Sequence, residues 1–160
     1  MARKQSAGIV LYRTRGEAME VLLVHPGGPF WAKKDAGAWS IPKGEYADGE
    51  DPLTAARREM FEETGLTLSE PLLPLGQVKQ RGGKIVRAWA AAGDCDAAAL
   101  KSNCCRMMWP PGSGRMLEFP EVDRAEWFAL AEARMRLLPA QVPFLERLAE
   151  ALQAQVPNRV

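Results

Sequence analysis

Histidine is almost missing from this chain: His25 is the single one in 160 residues. Cysteine is scarce as well, with Cys95, Cys104 and Cys105 forming an odd count without paired metal-type spacing. Both shortages argue against a disulfide framework and against a zinc site of sulfur and imidazole. A metal held here would sit among oxygen ligands, which suits magnesium, manganese or calcium. Long apolar runs are lacking too, and none approaches the ~20 residues needed to span a bilayer. The opening stretch MARKQSAG is basic with no apolar segment behind it, so it does not read as a secretion signal, and a cytoplasmic location is expected. No internal repeat and no low-complexity tract interrupts the chain.

What is present is ordinary globular composition, 47% apolar and 26% charged. The length predicts one domain over residues 1–160. Alternating or continuous apolar runs predict strands at about 5–13, 19–25, 75–80 and 84–92, with a strand-like segment at 125–128. Residues 26–37, rich in Gly and Pro, read as a loop, and 93–120 as an irregular segment with a short strand around CRMMW. One helix is predicted over 52–64, capped by Asp51, entered through Pro52 and closed at Gly65. Another is expected over about 140–154, with Leu145, Leu148, Ala149 and Leu152 as its apolar stripe, and a short one at about 130–136. Strands with interposed and segregated helices indicate an α/β or α+β sandwich.

The net charge of +1 hides an asymmetry. Residues 44–66 carry seven acids against two bases, a local −5, which leaves +6 for the rest of the chain. Within the helix, Glu59, Glu62 and Glu63 share one face by i,i+3 and i,i+4 spacing. That is unfavourable twice over. Like charges one turn apart repel by a few tenths of a kcal/mol, and a helix C-terminus disfavours acids by about 0.3–1 kcal/mol. A divalent cation would reverse the sign of both terms, because converging carboxylates form a hard oxygen cage for Mg²⁺ or Mn²⁺.

The spacing around these acids is specific. Gly44, Glu50, Arg58, Glu59, Met60, Glu62, Glu63, Gly65 and Leu66 fit the pattern G-x5-E-x7-R-E-U-x-E-E-x-G-U, where U is bulky and apolar. Seven fixed residues at about one chance in twenty each make an accidental match roughly one in a billion per start position. The chain thereby resembles the Nudix hydrolases (MutT-like), with the box at residues 44–66, the lead-in SIPKG before it, and a looser likeness through FPEVDRAEWFALAEAR. It is similar to a bacterial subgroup with a long loop before the box.

The resemblance implies an α/β/α sandwich with a mixed β-sheet between helices. It implies hydrolysis of a nucleoside diphosphate linked to another moiety, giving a nucleoside monophosphate and a phosphorylated product, with Mg²⁺ or Mn²⁺ as cofactor. Carried over, Glu59, Glu62 and Glu63 are metal ligands, one of them, most often the position of Glu59, serving as base. The Gly44 carbonyl joins them, and Glu50 pairs with Arg58 to hold loop against helix. A further acid from a downstream loop is expected at Glu121, in competition with Glu118, Asp123 and Glu126.

Around that centre, Lys43, Lys79, Arg81 and Lys84 are candidates to grip phosphates, and Phe30, Trp31, Trp39 and Trp109 to stack on a base. Trp89, within an apolar strand, reads as core, and His25 as a strand-end residue rather than a catalyst. Partners are then a small-molecule nucleotide or polyphosphate substrate, with no membrane, no dedicated nucleic-acid binding, and a monomer or homodimer. Substrates in view are dinucleoside polyphosphates such as diadenosine tetraphosphate and nucleoside triphosphates, then diphosphoinositol polyphosphates and nucleotide sugars. The contrasting reading is a non-catalytic nucleotide-sensing domain of the same fold, which would tolerate loss of carboxylates that are all retained here.

Overall fold

The computed structural model of the chain describes residues 5–68 and 71–155, so the basic stretch Met1–Lys4 lies outside the described residues. Alternation writes the central strand. In β1 (Gln5–Arg15), Ala7, Ile9 and Leu11 point to one face and Val10 to the other, all fully buried. β1 pairs antiparallel with β2 (Ala18–Pro26) across a tight turn, and with β3 (Lys43–Glu45) through Ser6–Gly8. On its other side it runs parallel to β5 (Ile85–Ala92), which is antiparallel to β4 (Leu73–Lys79). β8 (Val122–Ala129) closes the far edge against β2, giving the order β4-β5-β1-β2-β8 with β3 beside β1. A separate hairpin, β6 (Cys104–Met108) with β7 (Met116–Pro120), stands off this sheet.

Helix α1 (Pro52–Thr64) covers one face, burying Ala56 and Met60 against Ala7, Ile9, Leu11 and Leu22. Its ends follow the capping rules. Asp51 accepts from the Thr54 N–H at 3.0 Å, and Gly65 at φ 78° closes the last turn through its N–H to the Phe61 carbonyl. Helix α3 (Val142–Gln155) covers the opposite face with Phe144, Leu145 and Leu148, joined by α2 (Leu130–Arg136) through Ala133. Ala149 is exposed, so the buried stripe of α3 runs through Phe144 instead, one turn before Leu148.

This is a mixed sheet between helices, as the sequence predicts. Segment 93–120 departs from expectation by holding two paired strands, and the three-residue β3 is an addition. β3 matters for the site because it sets Gly44 beside β1, immediately under α1.

Candidate active site

Glu59, Glu62 and Glu63 occupy the last turns of α1, where the helix passes over β3. The contact at Gly44 is tight: a Cβ there would lie 2.2 Å from the Glu59 carboxyl carbon. Only glycine leaves room for that carboxylate. On the outer side of the helix, Arg58 pairs with Glu50 and stands 4.0 Å from Glu62. The loop before α1 is thereby clamped to the helix that bears the acids.

Glu63 is the most strained of the group. Its Oε2 is buried without any hydrogen-bond partner, and a buried carboxylate in that condition is costly. Burial, followed by the charges of Glu59, Glu121 and Glu62, pushes its pKa up to about 8. Glu59 is raised as well, by burial first and the Glu62 charge next. Lys43 moves the opposite way, down to about 8, because it is desolvated and stands near the Lys84 ammonium.

Two cavities meet at these residues. One of about 480 Å³ is lined by Gly44, Glu59, Lys43 and Lys84 and also by the rings of Trp31 and Phe119. A smaller one of about 170 Å³ reaches Glu63. Lys43 and Glu121 border both. Glu121 is held by its backbone, its carbonyl accepting from the Gly27 N–H at 2.9 Å and its N–H donating to the Asn103 carbonyl at 2.8 Å.

Its three competitors lie elsewhere. Asp123 bonds His25, Glu118 sits across from Arg106 on the hairpin, and Glu126 borders a different cavity. Among the described residues no three acidic side chains form a ready-made metal-binding group. The orphaned Glu63 oxygen and the all-oxygen donor set fit a hard divalent cation.

Not every sequence candidate falls at this place. Trp39 is 1% exposed, with its indole N–H donated to Asp35 at 2.7 Å and its ring edge-on to His25 and Phe128. Its stacking role is therefore corrected to a core role: no ring face is left for a ligand. Lys79 and Arg81, exposed at the β4 end and the following turn, do not border either cavity, whereas Lys84 does. Phe30 is 51% exposed beside Trp31, with the Lys34 ammonium 3.6 Å above its ring. Trp109 begins the hairpin loop, away from the cavities, and Trp89 packs half-buried on the α1 side. Sequence reasoning missed Phe119 and Cys105 as site residues: it expected a short strand around CRMMW but not its pairing with a second strand that carries Phe119.

His25 is a strand-end residue with more to do than expected. It is fully buried, its Nδ1 lies 2.8 Å from Asp123 and its Nε2 2.6 Å from the Lys34 carbonyl. It thereby ties the 26–37 loop to β8, two residues beyond Glu121. His25→Ala leaves the Lys34 carbonyl without its donor, and an expected loss of about 2–3 kcal/mol is checked by urea denaturation. An unchanged midpoint would show that the tie carries no weight.

A mixed sheet flanked by helices thus carries, at the end of α1, acids over a glycine, with Lys43 and Lys84 on the adjoining cavity wall. The NUDIX domain profile matches residues 2–148, so the chain belongs to the Nudix family, hydrolases of phosphoric anhydride bonds that use divalent metal ions. An RNA pyrophosphohydrolase of Rhizobium meliloti is 31% identical over 138 residues, covering 76% of this chain and 74% of that protein. An 8-oxo-(d)GTP phosphatase of Mycolicibacterium smegmatis is 29% identical over 134 residues, 73% of this chain but 38% of that longer protein. The fold is also that of a C. elegans Ap4A hydrolase in a binary complex, with a TM-score of 0.62 at 22% identity over 94% of this chain and 98% of that one. No described helix is long and apolar enough to cross a membrane.

Proposed function

We propose that this chain hydrolyses a nucleoside polyphosphate, either a dinucleoside polyphosphate such as diadenosine tetraphosphate or a nucleoside triphosphate, releasing a nucleoside monophosphate. The observation that carries the reading is the partnerless, buried Glu63 carboxylate oxygen beside a cavity shared by Glu59, Glu121, Lys43 and Lys84. Acids alone would repel a polyphosphate, and lysines alone would have no need of a carboxylate cluster. Both together suit a polyanion and a cation bound side by side.

In this reading Glu59, Glu62 and Glu63, the Gly44 carbonyl and Glu121 would hold Mg²⁺ or Mn²⁺. Such an ion, when bound, supplies charge neutralisation at the phosphoryl oxygens and acidifies water. The remaining work belongs to the chain. Lys43 and Lys84 bind nonbridging phosphate oxygens, and the phosphate charge draws the Lys43 pKa back upward. The Glu50–Arg58 pair keeps the loop on α1, so that the carboxylates stay in place while charge shifts between them. A carboxylate of the cluster takes the proton of the attacking water as the new P–O bond forms and the anhydride oxygen leaves with its electron pair. Trp31 and Phe119 offer the apolar boundary that a nucleobase fills.

The relatives' names point to polyphosphates joined to a nucleobase, which agrees with a cavity lined by lysines, acids and two aromatic rings. The test is a panel of dinucleoside polyphosphates, nucleoside triphosphates, 5′-triphosphorylated RNA, nucleotide sugars and diphosphoinositol polyphosphates, scored by kcat/KM and product. Nucleoside monophosphate from the first two classes is the expected result. Tight nucleotide binding without turnover of any member would replace this reading with a sensor.

A further inference from the structure

Gln141 ends the short 3₁₀ turn Pro139–Gln141 ahead of α3, and it is fully buried. A polar side chain in that condition must find partners for its donors and its acceptor. Gln141 finds all of them. Its Oε1 accepts from the Ile41 N–H at 3.0 Å. Its amide nitrogen donates to the Ser40 hydroxyl at 3.0 Å and to the Gln80 side-chain oxygen at 2.7 Å. Leucine or methionine would fill the same volume without the cost of desolvating an amide, so packing does not explain the residue.

Each partner leads to a lysine of the site. Ser40 and Ile41 line the smaller cavity with Lys43 and Glu63, and Lys43 follows Ile41 by two residues. Gln80 closes the turn after β4. Its N–H donates to the Lys84 carbonyl at 2.7 Å, and its own carbonyl accepts from the Gly83 N–H at 3.0 Å. Lys43 opens β3 and Lys84 immediately precedes β5, so the sheet secures each of them on one side only. The Lys43 and Lys84 ammoniums also stand close enough to repel each other. Left to their charges, the two segments would part. One buried amide is bonded to both.

We infer that Gln141 is a positioning residue for phosphate binding, which holds the Lys43 segment and the Lys84 turn at the spacing that lets both ammoniums grip one polyphosphate. The inference rests on the hydrolase reading, which gives the two lysines their phosphates, and adds to it a residue that touches no substrate. A glutamine can do this work because it ties two backbones without adding a charge beside the acids.

Gln141→Leu removes all three bonds. Gln80→Ala removes only the outer one, from a half-buried position at which folding is not at stake. Leu148→Ala is the comparison, because it opens a hole under α3 without touching the network. Turnover of diadenosine tetraphosphate and adenosine triphosphate is followed for each variant, alone and combined with Lys84→Met. The expected KM rises about tenfold in Gln141→Leu and about threefold in Gln80→Ala, with kcat within about twofold. Combined with Lys84→Met, the Gln80→Ala effect disappears and the Gln141→Leu effect shrinks to about threefold, the share owed to Lys43. Leu148→Ala lowers the thermal midpoint and leaves KM within about twofold. An equal KM rise in Leu148→Ala, undiminished effects beside Lys84→Met, a loss confined to kcat, or no change would each overturn the assignment. Should Gln141→Leu fail to fold, Gln80→Ala with and without Lys84→Met decides it. Should the wild type hydrolyse neither nucleotide, the hydrolase reading fails. Calorimetric binding of inorganic tripolyphosphate to the same variants then decides the positioning role: affinity falls in the same proportions, or Gln141 positions nothing.

Discussion

Glu63→Gln lowers kcat/KM by roughly three orders of magnitude or more, while making the metal-free protein more stable at pH 8. The first effect follows from removing a charged group that stabilises the transition state, for which losses of about 10²–10³ per group are usual; the loss is larger where that group also holds the ion. The second follows from the raised pKa of about 8, against an ordinary value of 4.5. The folded protein holds the Glu63 proton more tightly than the unfolded chain does. The associated stability is complete below pH 4.5 and drains away as pH rises toward 8.

At pH 8 and above, the charged carboxylate is a burden that glutamine lacks. Its partial exposure trims the burden to about 2–4 kcal/mol, or roughly 5–10 °C in the thermal midpoint for a chain of this size. Divalent ions should then raise the midpoint of the wild type and leave the variant nearly unmoved. Thermal scans at pH 8, with chelator and with Mg²⁺, read both arms. A variant destabilised in chelator would show that Glu63 is a structural acid and not a strained one.

Gly44→Ala separates activity from folding by a different route. The added methyl falls 2.2 to 2.5 Å from the Glu59 Cδ, Oε1 and Cγ atoms, which it must expel from their place. Those atoms end a flexible side chain, so expelling them is cheap for the fold and ruinous for the site. The expected outcome is a thermal midpoint within a few degrees of wild type with kcat/KM down about a hundredfold. Gly65→Ala is the contrasting control. It meets nothing within 4 Å but sits at φ +78°, so its expected cost is about 1–2 kcal/mol of stability, with Glu59 left where it was. Full activity in Gly44→Ala would mean that the Glu59 carboxylate works from another position.

Much of this was legible in the chain itself. Asp51, Pro52 and Gly65 announce both ends of α1, and the fixed distances from Gly44 to Glu63 announce its purpose. The apolar alternation of β1 gives the two-sided sheet. What the sequence conceals has physical causes. Strand β3 is three residues long, too short for any period to register. The β6–β7 hairpin is masked by the Pro- and Gly-rich loop inside it and by exposed methionines, which read as irregular chain. Trp39 misleads because it lies next to the box in sequence, whereas its own backbone bonds with Arg136 and Leu138, and those of the adjacent Ser40 with Val24, carry it into the core. Nearness along the chain does not tell which side of the sheet a ring will occupy. Lys79 and Lys84 flank one turn, yet only the second borders the cavity, 3.5 Å from Glu45 on β3, a pairing across 39 residues that sequence does not display.

We propose that the acids at the end of α1 act through a divalent cation on a nucleoside polyphosphate. It is tested most directly by following wild-type turnover of diadenosine tetraphosphate and adenosine triphosphate while Mg²⁺ is titrated into chelator-treated protein. No turnover is expected in chelator, and saturable release of adenosine monophosphate is expected as Mg²⁺ rises. Turnover that persists unchanged in chelator, or none at any Mg²⁺ or Mn²⁺ concentration from a folded protein that binds the nucleotide, would contradict it.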